Sequence, residues 1–219
     1  MMHLEQNCIR VNRQLVYTYM SVYLEDTVMS NQPMFVAQVW FKAYLSQAVR
    51  SSGLEFQFCA DVPNTGKAIH AMWQNCKQFG APFRVFNGAN DADKLYFSPE
   101  VNLMYRAIHD VDHAVAYEIG RGTTKFEDEL YLNCLMAVNA YKFTVRHTST
   151  ERGLKVFFAV YHDTVGQALY YKEHKDFCVD QKANTIRLLN ECDGVRAVLS
   201  GKIRVAYQVM QAYMVECGL

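Results

Sequence analysis

Residues 98–120 read SPEVNLMYRAIHDVDHAVAYEIG, and this stretch decides the fold class and supplies the first candidate chemistry. Ser98-Pro99-Glu100 is a helix start: a hydroxyl cap, then proline where a missing N–H is harmless, then an acid at the positive end of the helix dipole. At about 100° per residue, Met104, Ala107, Ile108, Val111, Val115 and Ile119 fall on one apolar stripe. The opposite face carries Asn102, Arg106, His109, Asp110 and His113. His109 and His113 are four apart and Asp110 and His113 three apart, so their side chains can converge, whereas Asp112 points about a quarter-turn away. A histidine pair at this spacing beside a carboxylate is chelating geometry for zinc, iron or manganese. The competing reading is a solvated polar face. Such faces are usually built from Lys, Glu and Gln, and this one uses short, rigid, metal-competent groups.

Two neighbouring segments carry polar groups on otherwise apolar helices. In KFEDELYLNCLMAVNAYKF (125–143), Glu129 and Asn133 share one stripe of a helix that is apolar nearly all round. Thr124-x-x-Glu127 reads as a capping box, which accounts for the acids of the first turn but not for Asn133 one turn deeper. A buried carboxylate such as Glu129 needs a charge partner or a metal to offset its desolvation. In VFFAVYHDTVGQALYYKEHKDF (156–177), Asp163, Gln167, Tyr170 and His174 share a stripe among Phe157, Phe158, Tyr161, Val165 and Leu169. Asp163 lies mid-helix and no cap explains it. Gly166 beside it costs roughly 1 kcal/mol relative to alanine, which points to close approach by another helix or a substrate. His162 points about 100° from Asp163 and forms no second chelating pair. His174 reads first as a surface histidine.

The remaining chain sets the frame. Its 219 residues suit one domain, and 51% hydrophobic residues suffice for a core without disulfides. The four prolines end at Pro99, so the second half can run in long helices. Helices are expected near 11–28, 34–51, 65–79, 100–119, 126–146, 154–175 and 180–217, the last divided by Gly194 and Gly201. LEFQF (54–58) and FRVF (83–86) predict at most a minor β-hairpin, and NGANDADK (87–94) is turn chemistry. The predicted fold is mainly α: one helical bundle with N-terminal helices in 1–80, site-bearing helices in 98–180 and C-terminal helices in 181–219. Lys+Arg and Asp+Glu are 22 each, so no global field attracts nucleic acid, and no basic patch is visible. Seven cysteines without a Cys-x-x-Cys pair fit reduced thiols in the cytoplasm. No segment reads as a signal peptide or a membrane helix.

HDVDH (109–113) resembles the His-Asp-x-Asp-His segment of cyclic-nucleotide phosphodiesterases and, more loosely, of the HD phosphohydrolase superfamily. Those are all-helical enzymes holding one or two metals. The resemblance implies an HD-like bundle with His109 and Asp110 as metal ligands, His113 as a phosphate-facing or general-acid histidine, and Asp163 as the distant final aspartate. Here Ala114-Val115 follows the segment instead of Pro-Gly, and no upstream His-x-x-x-His occurs; the nearest upstream histidine is His70. Across roughly 83–190, the order YRAIHDVDH (105–113), FEDE (126–129), HDTVGQALYY (162–171) and FCVDQ (177–181) also resembles a set of poorly characterised tailed-bacteriophage proteins. That resemblance implies a site of His109, Asp110, His113, Glu129, Asp163 and Gln167, in host cytoplasm if the chain is phage-encoded.

Together these readings favour a metal-dependent phosphohydrolase acting on a nucleotide or other small phosphate ester. His109, Asp110, His113, Glu129 and Asp163 are the candidate ligands of a divalent iron, manganese or zinc. His113 and Asp163 are the proton-handling candidates, with Asn133, Gln167 and Tyr170 behind them. Arg106 either clamps phosphate or pairs with Asp110. Two alternatives stand beside this: a carboxylate-bridged di-iron oxidase or oxygenase, suggested by Asp110-x-x-His113, and a non-catalytic phage structural or host-interaction protein whose polar stripes only fix packing. Oligomeric state has no signature in the sequence.

Overall fold

The computed structural model describes residues 33–219; the helix expected near 11–28 lies outside them. The elements run α1 (Pro33–Ser52), β1 (Phe56–Cys59), α2 (Gly66–Phe79), β2 (Phe83–Phe86), α3 (Pro99–Tyr117), α4 (Phe126–His147), α5 (Thr150–His174), α6 (Gln181–Glu191), α7 (Asp193–Leu199) and α8 (Ile203–Glu216). The fold is mainly α, as the periodicity predicts. Among the described residues no helix is long and apolar enough to cross a membrane.

The two strands pair in parallel, not as a hairpin, with Phe56 opposite Phe83 and Phe58 opposite Val85. Parallel pairing needs a crossover, and α2 supplies it. Phe56, Phe58, Phe83 and Val85 face the core while Gln57 and Arg84 alternate outward. The pair thus presents four apolar side chains to the core.

At the centre runs α5. Leu154, Val156, Phe157, Phe158 and Val160 are all fully buried, because α1, α4, α6, α7 and α8 all pack against this helix. Proline's absence permits this length, and Ser149 caps the start by accepting a bond from the Arg152 amide. Gly166 marks a close helix approach, since a Cβ there would press on Leu188 of α6. The C-terminal helical stretch divides at Cys192 and again at Gly201, whose φ of 71° ends α7. Gly194 does not divide it. It lies inside α7, where a Cβ would overlap the Phe158 ring.

Helix α3 begins as its sequence predicts, with Ser98 accepting from the Val101 amide and Pro99 in the first turn. Its apolar stripe is buried only as far as Ile108 and half-buried at Val111, while Val115 and Ile119 are exposed. The polar face is buried as well, at Asn102, His109 and His113. The reason lies in the connection to α4. Gly122 is pressed against the backbone of α3, where a Cβ would overlap the His113 carbonyl and the Tyr117 amide, and a Cβ on Gly66 would in turn overlap Gly122. This contact folds the 118–125 segment back along α3 and lays the start of α4 over the histidines.

Gly122→Ala is therefore expected to destabilise the protein by roughly 2–4 kcal/mol, since backbone rather than a flexible side chain must yield. Gly120→Ala, with positive φ but open space around it, is expected to cost roughly 1–2 kcal/mol. Urea unfolding of the two variants checks the order.

Candidate metal centre

Two side chains of α3 and one of α4 meet where these helices touch. His109 and His113 lie one turn apart, and Glu129 comes from the first turn of α4. Local bonding sets the entry of that turn. Asp128 accepts hydrogen bonds from the Thr123 amide at 3.1 Å and from the Thr123 hydroxyl. The expected Thr124–Glu127 capping box is not formed: Lys125 is the N-cap residue, without a side-chain cap bond. Asp128 bonds instead to Thr123, two residues before that cap.

The Glu129 carboxylate lies 3.1 Å from His109 Nε2 through Oε2 and 3.1 Å from His113 Nε2 through Oε1. The two Nε2 atoms are 3.2 Å apart. These three contacts cannot all be hydrogen bonds. Each Nε2 carries at most one hydrogen and a carboxylate carries none, so two hydrogens are available for three close pairs. A cation bound by all three groups removes the conflict, because unprotonated Nε2 atoms and a carboxylate can all aim lone pairs at one point. Bonds of about 2.0–2.2 Å place ligand atoms of a tetrahedral or octahedral ion roughly 2.9–3.4 Å apart, which the Nε2–Nε2 distance matches, while Glu129 meets the two histidines through different oxygens. Among the described residues this is the one group of histidine, cysteine and acid side chains whose donor atoms all come within 4.8 Å.

The electrostatics follow from the same contacts. Burial alone would raise Glu129, but hydrogen bonds from His109 and His113, with their charge, outweigh it and hold its carboxyl well below the usual range. Burial alone would lower His109; the bond to Glu129, and the charges of Glu129, Asp110 and Asp112, reverse that and raise it. Desolvation pushes Asp110 and Asp112 up to about 6 despite the nearby histidines. The site is lopsided in exposure. The His113 side chain is 3% exposed and that of Glu129 30%, so one side of the triangle faces solvent.

The supporting shell is built from aromatic and amide groups. Tyr105 stacks on His109 with ring centroids 5.4 Å apart and donates its hydroxyl to Asn133 Oδ1 at 2.6 Å. Asn133, the deeper polar residue of α4, thus positions the ring that flanks His109. His113 Nδ1 lies 3.4 Å from the Gly122 carbonyl. His109 Nδ1 is buried with no partner. His70 is separate: its Nδ1 meets the Ala114 carbonyl at 2.8 Å, and its ring stacks on Tyr117.

The other candidates are distributed differently. Asp110 and Asp163 are not among the three converging ligands. Arg106 donates to the carbonyls of Phe86, Gly88 and Ala89 at 3.3, 2.5 and 3.2 Å, strapping the 87–94 turn onto α3. Asp163 accepts from the Thr185 hydroxyl of α6 at 3.0 Å, and burial pushes its carboxyl up to about 7. Gln167 lies beyond it with both amide atoms buried and unpartnered. Tyr170 packs on His174, 4.2 Å between ring centroids, and His174 is exposed as expected. Sequence reasoning passed over Tyr105, Gly122 and Thr185. Tyr105 stood inside the opening motif at four residues from His109, a spacing that could have flagged it; Gly122 and Thr185 carry no local signal.

No protein-family model, curated protein or solved structure matches the chain. The centre is therefore read from its own geometry.

In metal-free protein, the Glu129 contribution is complete above the ordinary glutamate range, about 4.3, and fades as pH falls. The His109 contribution is complete below its ordinary value, about 6.5, and fades as pH rises through its raised value. Glu129→Gln is thus expected to cost most between about pH 5 and 6.5, roughly 1.5–3 kcal/mol, in urea titrations of chelator-treated protein. Asp163 has the opposite sign: its raised value means that ionisation costs stability as pH climbs from about 4 towards 7 and beyond. Asp163→Asn should match wild type at pH 4 and be more stable at pH 8 by on the order of 1–4 kcal/mol. A loss at pH 8 would mean that a cation holds this carboxylate charged.

Proposed function

We propose that the chain is a metal-dependent hydrolase in which His109, His113 and Glu129 hold a single divalent cation and a water on that cation attacks a small phosphate ester such as a nucleotide. The observation that carries the reading is the convergence of His109 Nε2, His113 Nε2 and the Glu129 carboxylate, with an Nε2–Nε2 contact at 3.2 Å that the two available hydrogens cannot serve as well. Two imidazoles and one carboxylate suit zinc, iron or manganese, and hydrolytic centres pair such a set with an open position for water. The solvent-facing side at Glu129 supports such a position.

A cation there supplies charge to a phosphoryl oxygen and lowers the pKa of its bound water towards about 7. The protein's own groups have separable roles in this reading. His113, with Nε2 in the ligand set, serves as ligand and not as the general acid. Asp110 directly follows His109 on α3 and would be the candidate to take a proton from a water on such a cation. Tyr105 and Asn133 hold the ring of His109. Arg106 has its guanidinium committed to loop carbonyls, so phosphate binding falls to the cation itself. The resemblance of HDVDH (109–113) to the His-Asp-x-Asp-His segment of cyclic-nucleotide phosphodiesterases supports the phosphate-ester class. A single converging group among the described residues favours one ion over the bridged pair of a di-iron oxidase.

A second reading has its own support. Glu129 accepts hydrogen bonds from both histidines without an ion, so the cluster also serves as a polar clasp between α3 and α4 in a non-catalytic protein. Elemental analysis of untagged wild type and a His109→Ala/His113→Ala double variant separates the two. The hydrolase reading expects close to one zinc, iron or manganese per chain, lost in the double variant. It also expects roughly 100-fold weaker metal binding or worse in Glu129→Gln, and metal-dependent turnover of a nucleotide or phosphate ester. A folded wild type that takes up no metal on reconstitution leaves the polar clasp.

A further inference from the structure

A second polar feature lies towards the far end of α4 from the metal centre, where that helix packs against α1. The two helices run antiparallel there: Trp40 meets Phe143 and His147, with ring centroids 6.4 Å apart in both cases, and Tyr44 meets Phe143 at 6.0 Å. Beside these rings the seam opens into a cleft of about 250 Å³. Tyr44, Gln47 and Ser51 line it from α1, and Asn139, Lys142 and Arg146 from α4. Each set recurs at spacings of three and four, on one stripe of its helix, where packed helices ordinarily present apolar side chains. No aspartate or glutamate is among the lining residues. Neither Lys142 nor Arg146 has an ion pair or a side-chain hydrogen bond with another described residue.

We propose that this cleft is a binding site for a small phosphorylated anion, held by Lys142 and Arg146. Charge complementarity carries the assignment. Two cations one turn apart share the cleft with the amides of Gln47 and Asn139 and the hydroxyl of Ser51, and no acid offsets them. A phosphate monoester carries about −1.5 to −2 charge at pH 7 and three acceptor oxygens, so it can engage both cations and a neutral donor at once. A carboxylate, with one charge and two oxygens, leaves one cation unmatched. Arg146 lies in the last turn of α4, where a cation also suits the helix dipole, but Lys142 lies a turn earlier and has no such explanation. The volume falls just below the roughly 300–1,000 Å³ of drug-sized ligand pockets, which suits a compact ligand.

The cleft is separate from the metal centre. Lys142 follows Glu129 by between three and four turns of α4, roughly 20 Å along the helix. An anion there cannot touch a cation held by Glu129, so the site stands whether or not the chain is a hydrolase. It also leaves no basic run in the sequence, because its two cations are a turn apart and its other donors come from a helix far away in the chain.

The test is isothermal titration of the full chain with inorganic pyrophosphate at low salt, after chelator treatment so that no metal contributes. Saturable binding is expected, weakening as salt is raised. The Lys142→Gln/Arg146→Gln variant should bind at least about tenfold more weakly. Both side chains are exposed, so the core is untouched, and circular dichroism checks it. A Lys202→Gln/Arg204→Gln variant, which removes the same charge from two other exposed cations, should bind as wild type does. No saturable binding to wild type, or an equal loss in both double variants, would overturn the proposal. So would succinate binding as tightly as pyrophosphate. A single-stranded oligonucleotide that binds more than about tenfold tighter than pyrophosphate, and loses that binding in the Lys142/Arg146 variant, would overturn it in favour of a nucleic-acid surface.

Discussion

Glu129 reaches two histidines across the α3–α4 boundary, and much of the surrounding architecture exists to allow that reach. A carboxylate and two imidazoles in near-contact, two of them almost buried, are costly to desolvate, and only mutual contact or a shared cation offsets the cost. The segment between the helices must then double back tightly, and Gly122 and Gly66 make room for it by lacking side chains. Asp128 bonds back to Thr123 and orients the first turn of α4. Tyr105 and Asn133 close the inner side. Each group is ordinary in isolation, but together they leave Glu129 little freedom to face anything else.

Polar groups also enter the bundle along α5, under different conditions. Asp163 is paired with a hydroxyl and not with a cation, which is why burial dominates its protonation. His162, one position earlier, has a buried unpartnered Nε2 and is lowered to about 4 by desolvation. Gln167 and Asn184 bring further buried amide atoms without protein partners, the kind of group that ordered water commonly satisfies. Desolvation in this inner layer favours neutral groups, whereas the α3–α4 centre stabilises a charged carboxylate. That difference separates a metal-competent cluster from a polar core.

The same logic divides the aromatic and sulfur-bearing residues. Burial and contact, more than residue type, decide their chemistry. Cys217 and Cys192 each meet a tyrosine hydroxyl, and Arg106, a charged residue within the opening motif, is spent on holding a turn in place. A motif read along one helix therefore overstates some members and misses others supplied from elsewhere.

Local chemistry alone determined a good deal here: the helical class, the Ser98-Pro99 start of α3, the break at Gly201, the close helix approach at Gly166, and His109 and His113 as a convergent pair. All of these depend on neighbours within about one turn, where helical geometry is nearly invariant. Glu129 was legible too, because an acid on an apolar helix has few tolerable explanations. Only the tertiary structure decided that the polar face of α3 is buried as well, that the strands pair in parallel around α2, and that Glu129 joins the histidines while Asp110 and Asp163 do not. Those outcomes depend on how one connection packs, and a glycine pressed against a distant backbone leaves no periodic trace in the sequence. Spacing along a helix says which side chains can point the same way; what they meet is set by the element that packs across from them.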